Sequence, residues 1–193
     1  MLLKGDPNFL YFMIARTFAI ANRVAAPFYI VYASQTISLS GSTIGVLSFA
    51  YLIADTAANL VWGYVSDRSG FRSTFVAGLV LWIAATLLLM GAHSLSLIFL
   101  AFFGLGAGNS AYLMSAQNIV FEFGHRDDMA MRLALSNTAE SAMAALGPLV
   151  GGFMAASLGY SAVFTAAVVC EAIALVLLLM LVKEPRHRRH RRA

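Results

Sequence analysis

Six long apolar segments recur along this 193-residue chain, and they constrain its fold more than any other feature. Crossing the hydrocarbon core of a bilayer takes about 20 consecutive residues of α-helix. Runs of that length lie approximately at 8–33, 43–65, 73–92, 95–121, 129–156 and 160–182. Only 11% of the residues are charged, whereas about a quarter are charged in an ordinary soluble domain. The sequence therefore predicts an all-α polytopic membrane protein, in which residues 1–183 form a six-helix transmembrane bundle.

The distribution of Lys and Arg predicts how this bundle is oriented. The connections that follow spans one, three and five carry no Lys or Arg, whereas those that follow spans two and four are basic. By the positive-inside rule, both termini are therefore expected in the cytoplasm. The C-terminal end is also densely basic, and we expect Pro185 to stop the last helix there. We interpret residues 184–193 as a basic cytoplasmic tail that binds anionic lipid headgroups rather than nucleic acid.

Polar side chains follow one face of spans one, two, four and five, whereas span three carries no charge. Charges at membrane depth are costly, so each one indicates a partner, a water-filled cavity or a function. The residues that we expect to line a substrate path or to carry a coupling proton are Arg23, Asp55, Asn109, Tyr112 and Glu140. The sequence thus predicts a bundle with a polar interior or a polar cleft.

The charged residues of the spans allow more than one interpretation. Arg23 and Asp55 lie near the midpoints of antiparallel spans and are expected at similar depth. They either form a buried salt bridge that neutralises both groups, or they bind a substrate and a proton respectively. Arg16 is expected to extend toward the inner headgroups. Glu171 stands alone on an otherwise apolar span, where we expect it to be protonated or structurally paired.

The connection between spans two and three carries a motif. Residues 63–72 read GYVSDRSGFR, which resembles the G-x-x-x-D-R-x-G-x-R signature between the second and third helices of each half in the major facilitator superfamily. The matching positions that carry the resemblance include Gly63, Asp67, Arg68, Gly70 and Arg72. In that family the motif acts as a latch that stabilises one access state. The resemblance therefore implies a cytoplasmic gating role for these residues.

The resemblance extends over nearly the whole chain but covers only half of a twelve-helix transporter. The chain looks most like the C-terminal half of bacterial members, and GPLVGG at 147–152 is similar to the end of the family's antiporter motif. The resemblance implies a 3+3 inverted repeat of six transmembrane helices in the plasma (inner) membrane of a bacterium. It also implies a secondary active transporter that moves a small-molecule substrate by alternating access. Coupling of this transport to proton movement is one form that the mechanism takes in such a transporter.

A lone half would leave its polar stripes facing the lipid bilayer. We therefore expect a partner, either a second copy of the chain in a homodimer or a different six-helix half. Two like-oriented halves related by an axis along the membrane normal would rebuild a central cavity. Carriers of drugs, sugars, amino acids and metabolites share these features, so the sequence does not identify the substrate.

Two classes other than transporters compete for this sequence. An intramembrane serine protease needs a histidine base and a haem-binding bundle needs histidine ligands, but His125, His187 and His190 lie outside the predicted spans. A thiol oxidoreductase needs a cysteine pair, and Cys170 is the only cysteine. We expect no enzyme, no cofactor and no bound metal. A non-transporting membrane scaffold, or an incomplete transporter fragment, stays open as the alternative.

Overall fold

The computed structural model describes residues 7–38, 40–123 and 128–182, and within these ranges it contains helices and no strand. The six long helices are α1 (Pro7–Ala33), α2 (Gly41–Ser69), α3 (Phe71–Met90), α4 (Leu95–Glu122), α5 (Met129–Leu158) and α6 (Tyr160–Met180). Each is long and apolar enough to cross a membrane. The predicted all-α fold with six spans is confirmed. The predicted basic tail at 184–193 lies outside the described residues.

The connections between the helices repeat. A single glycine joins α2 to α3 and another joins α5 to α6, with φ and ψ of 85° and 158° at Gly70 and of 83° and 164° at Gly159. These positive φ values are accessible to glycine and strained for residues with a Cβ. The same one-residue turn therefore connects the second and third helices of each half of the chain.

Helix packing follows the same repeat. α4 packs along α2 and α3, and the corresponding helix α1 packs along α5 and α6. α3 and α6 also contact each other and join the two groups. This arrangement is the one that a 3+3 repeat predicts, with α1 equivalent to α4, α2 to α5 and α3 to α6. Because α1 packs on α5 rather than on its sequence neighbour α2, the polar side chains of α1 lie against α5.

Each of the two groups contains a close helix crossing at a glycine. A methyl group added at Gly106 of α4 would collide with the backbone of Tyr51 in α2. A methyl group added at Gly151 of α5 would lie 2.6 Å from the carbonyl oxygen of Val24 in α1. Small residues let membrane helices approach to backbone contact. Both crossings therefore depend on the absence of a side chain.

The first helix is interrupted midway. α-Helix runs from Pro7–Ala19, resumes over Asn22–Ala25, tightens to a 3₁₀ turn over Ala26–Phe28 and continues over Tyr29–Ala33. Pro27 lacks the backbone N–H that an α-helix uses and therefore contributes to the irregular turn. The interruption sets the polar residues Asn22 and Arg23 at a break in α1.

α2 and α5 are the least buried helices of the bundle. In their most apolar stretches only 17% and 11% of the residues are buried, against 56% in α1 and in α4. The exposed side chains include Leu60 of α2, with 83% of its surface accessible, and Phe153 of α5, with 75%. These two helices therefore present faces that no part of the described chain covers.

Candidate functional site

A cluster of charged side chains joins α1 to α5. Nη2 of Arg16 lies 2.5 Å from Oε2 of Glu140, and Nη2 of Arg23 lies 3.2 Å from Oε1 of the same carboxylate. Nη1 of Arg16 also donates to Oγ of Ser136 and, at 3.1 Å, to the carbonyl oxygen of Ala116 in α4. One carboxylate thus serves two guanidinium groups, so the cluster carries an excess of positive charge.

The two arginines of the cluster differ in access. The Arg16 side chain is 1% exposed, the Glu140 side chain 18% and the Arg23 side chain 37%. The expectation that Arg16 extends to the headgroups is wrong, because Ser136 and Glu140 stand one turn apart on α5 and supply partners inside the bundle. Arg23 makes one described hydrogen bond, although a guanidinium has five N–H donors. Arg23 can therefore bind a second anion.

A second polar pair joins α2 to α4. Nδ2 of Asn109 donates to Oδ1 of Asp55 over 2.9 Å. Arg23 was expected at the depth of Asp55, but its described carboxylate partner is Glu140. The reason is the exchange of helix partners: α1 packs on α5, and α2 packs on α4. The two polar pairs, Arg23 with Glu140 and Asn109 with Asp55, thus join helix pairs that correspond under the repeat, although the residues themselves do not occupy matching positions.

Tyr112 lies inside the half rather than on its open side. It is 2% exposed, and its ring stacks on Trp82 of α3 with a centroid distance of 5.0 Å. Phe75, also on α3, contacts the same ring at 5.5 Å. Of the predicted path residues, Arg23, Asp55, Asn109 and Glu140 form interhelical polar pairs, whereas Tyr112 packs among aromatic rings.

The motif at 63–72 lies where α2 turns into α3. Arg72 donates to the carbonyl oxygens of Leu178, at 2.9 Å from Nη2 and 3.2 Å from Nε, and of Leu179, at 3.1 Å. These are carbonyls of the last turn of α6, where a cation is favoured by the helix dipole. Arg72 therefore ties the start of α3 to the end of α6.

Two other charged residues of the motif, Asp67 and Arg68, are exposed. The Arg68 guanidinium lies over the Tyr64 ring, 4.5 Å from its centroid, and Asp67 is exposed. A Cβ added at Gly63 would meet nothing within 4 Å, so no described helix crosses closely there. Gly70 supplies the positive-φ turn. The motif therefore combines an inward tie at Arg72 with exposed side chains at Asp67 and Arg68.

Two residues of the polar clusters escaped the sequence analysis. Ser136 precedes Glu140 by four residues and so shares its helix face, which is a signal that could have identified it. Asn22 donates through Nδ2 to Oε1 of Glu171 over 3.0 Å. Asn22 directly precedes Arg23, but the break in α1 turns their side chains to different neighbours.

These features define an all-α polytopic membrane protein whose six apolar helices follow a 3+3 repeat. Residues 11–193 match the sequence profile of the Major Facilitator Superfamily, and the chain belongs to this family. The family consists of transporters. The sequence resemblance is therefore confirmed.

The curated relatives are similar to the chain at low identity. Two sequences from Aspergillus niger, each described as citrate exporter 1 and one of them from a named strain, are 23% identical to it over 152 residues. The matched region covers 78% of this chain but 29% of each relative. The chain thus matches less than a third of the length of these relatives.

Proposed function

We propose that this chain forms one six-helix half of a secondary active transporter that moves a small organic anion by alternating access. The observation that carries the proposal is the sharing of Glu140 by Arg16 and Arg23. Arg16 is buried and holds the carboxylate, whereas Arg23 has free donors and 37% of its side chain exposed. A solute carboxylate can replace Glu140 at Arg23 while Arg16 retains Glu140.

The proposed substrate class is a small carboxylate. A guanidinium binds carboxylates through two parallel hydrogen bonds, which gives both affinity and orientation. The citrate exporters matched by this chain are named for such a solute, which agrees with the chemistry of Arg23. Asp55 and Asn109 would line the opposite side of the path, and Asp55, whose described side-chain partner is a neutral amide, is the proposed coupling-proton residue. Tyr112 would hold α4 in position through its ring contacts with Phe75 and Trp82 of α3, on the side away from the path.

The proposed transporter needs a second six-helix half against α2 and α5. These are the least buried helices, and their accessible faces mix large apolar side chains with polar residues that lipid would not solvate. A second copy of the chain, related by an axis along the membrane normal, satisfies this requirement directly. We propose the plasma (inner) membrane of a bacterium as the location, with both termini cytoplasmic.

The 63–72 motif would then act as the cytoplasmic gate of this assembly. Arg72 fixes α3 to α6 within the half, while Gly63, Asp67 and Arg68 face the position of the second half. Gly70 allows the sharp turn that keeps the two groups of residues adjacent. Rocking of the two halves would make and break the contacts of Asp67 and Arg68 with the second half. The contact of Arg72 with α6 would stay in place.

Binding of citrate as a probe tests the anion site. Purified chain in lipid nanodiscs is titrated with citrate, and affinity is measured by isothermal calorimetry for the wild type, Arg23→Gln and Val176→Gln. We expect the loss of a charge-assisted hydrogen-bond pair to weaken binding by about tenfold or more in Arg23→Gln. Val176→Gln, on the exposed side of α6, is the control and should bind like the wild type. Equal affinities in all three proteins would remove Arg23 from the site.

A further inference from the structure

The bundle contains a buried carboxyl group that the proposed anion path does not use. Glu171 of α6 is fully buried, and its Oε1 accepts a hydrogen bond from Asn22. Its Oε2 is also buried and has no hydrogen-bond partner among the described residues. An ionised carboxylate with one bare oxygen in an apolar bundle carries a large desolvation cost. The carboxylic acid form avoids most of this cost.

The groups that face Glu171 do not neutralise it. Tyr29 of α1 lies nearby, with its hydroxyl engaged by Thr86 of α3 at 3.2 Å, and Cys170 is its neighbour on α6. None of these supplies a positive charge. Neither of the two ion pairs recorded for the described chain includes Glu171.

The cations of the helices packed against α6 are engaged elsewhere. Arg16 and Arg23 of α1 share Glu140 of α5, and Arg72 of α3 bonds the last carbonyls of α6. Arg132 of α5 lies over the ring of Phe9, 4.5 Å from its centroid. Glu171 therefore has an amide rather than a cation as its described partner.

A cavity lies beside the asparagine that bonds this carboxyl group. A space of about 150 Å³ lies at the break in α1 and is bordered by Asn22, Tyr29, Tyr51 and Trp82 among other residues. Its volume admits several water molecules, and the Asn22 amide and the tyrosines offer them polar partners. Asn22 thus both borders the cavity and bonds the buried carboxyl group.

We propose that Glu171 is a proton-binding site whose occupancy sets the geometry of the break in α1. A proton delivered by water from the cavity adds to a carboxylate oxygen and forms the neutral acid. When the proton leaves, the charged oxygens require additional donors, and the α1 backbone at Asn22 moves to supply them. Because Arg23 follows Asn22 in the chain, this movement changes how Arg23 meets Glu140 and an anion. The last step rests on the proposed function, whereas the proton site does not.

Infrared difference spectroscopy tests the proton site without any ligand. Purified chain in nanodiscs is compared between acidic and alkaline buffer for the wild type, Glu171→Gln and the control Asp55→Asn. We expect carboxylic-acid carbonyl absorption that disappears in alkaline buffer and includes one component from Glu171. That component should persist in Asp55→Asn and be missing in Glu171→Gln. Absence of that component from the wild type, or its full retention in Glu171→Gln, would overturn the proposal.

Stability provides a second measurement on the same variant. Gln has the shape of the neutral acid, so Glu171→Gln should fold and melt like the wild type in acidic buffer. It should melt above the wild type in alkaline buffer, where the wild type must either keep its proton or ionise inside the bundle. A variant that fails to fold, or that melts below the wild type at both pH values, would contradict the neutral state.

The coupling step is tested with citrate in two buffers, one mildly and one strongly alkaline, in both of which the probe is fully ionised. We expect wild-type affinity to differ by about fivefold or more between them, and the affinity of Glu171→Gln to differ by less than the wild type's. An unchanged pH dependence in the variant would overturn the coupling. Wild-type protein that binds no citrate in either buffer would refute the anion site while the infrared result stands.

Discussion

Removing the Glu140 carboxylate should destabilise the bundle far more than removing the Arg23 charge. In Glu140→Leu, Arg16 stays 1% exposed but loses its counter-charge. Breaking one side of a buried ion pair typically costs about 3–5 kcal/mol, because the remaining charge is left uncompensated. Arg23 is 37% exposed, and Arg16 still compensates Glu140 without it, so Arg23→Gln should cost within about 1 kcal/mol.

A double variant separates the ion pair from the packing of the same side chains. Arg16→Met combined with Glu140→Leu replaces both charges by apolar groups of similar size. Such replacements of buried pairs are often neutral or stabilising. We therefore expect the double variant to recover most of the loss and to unfold within about 1 kcal/mol of the wild type.

The assay is reversible unfolding in mixed micelles with increasing denaturing detergent, followed by the fluorescence of the two tryptophans. Trp62 and Trp82 both donate to carbonyl oxygens of α4, at 2.8 Å and 3.2 Å, so their emission reports separation of the central helices. Equal losses in Glu140→Leu and Arg23→Gln, or no recovery in the double variant, would refute the assignment of a buried ion pair to α1 and α5.

Three further variants probe other parts of the structure. Gly106→Ala should lower the free energy of unfolding by about 1–3 kcal/mol in the same assay, because its methyl group meets the α2 backbone. The control Gly63→Ala should leave that free energy unchanged or raise it by up to about 1 kcal/mol. Similar losses in the two variants would contradict the close contact between α4 and α2. Arg72→Gln should lose about 1 kcal/mol and speed hydrogen exchange in the last turn of α6; Arg68→Gln is its control, and equal exchange would remove the tie. Asp55→Asn should abolish uptake driven by a pH gradient in proteoliposomes but leave anion exchange; unchanged driven uptake would exclude Asp55 from coupling.

The number and type of the helices could be predicted because crossing a bilayer demands a length and an apolarity that are visible locally. The polar positions could be predicted for the same reason, since any charge in such a run stands out. Arg23, Glu140, Asp55 and Asn109 do form interhelical contacts. The motif at 63–72 was recognisable because a turn and its flanking charges are contiguous in sequence.

The pairing of the polar residues could not be predicted, because it depends on which helices pack together. A polar stripe indicates which face of a helix avoids lipid, but it does not indicate which neighbouring helix meets that face. Arg16 was expected to reach the headgroups, but its partners Ala116 and Ser136 are 100 and 120 residues away. The break in α1 and the contact between Asn22 and Glu171 likewise depend on the packed bundle.

The most direct test of the half-transporter proposal is the mass of the purified chain in lipid nanodiscs by native mass spectrometry. We predict an assembly of two 20.7-kDa chains, held through α2 and α5. It should be lost on Leu60→Asn in α2 and kept on the control Val176→Asn on the exposed side of α6. A single chain for the wild type, or a dimer that only the α6 variant disrupts, would contradict pairing of two copies through α2 and α5.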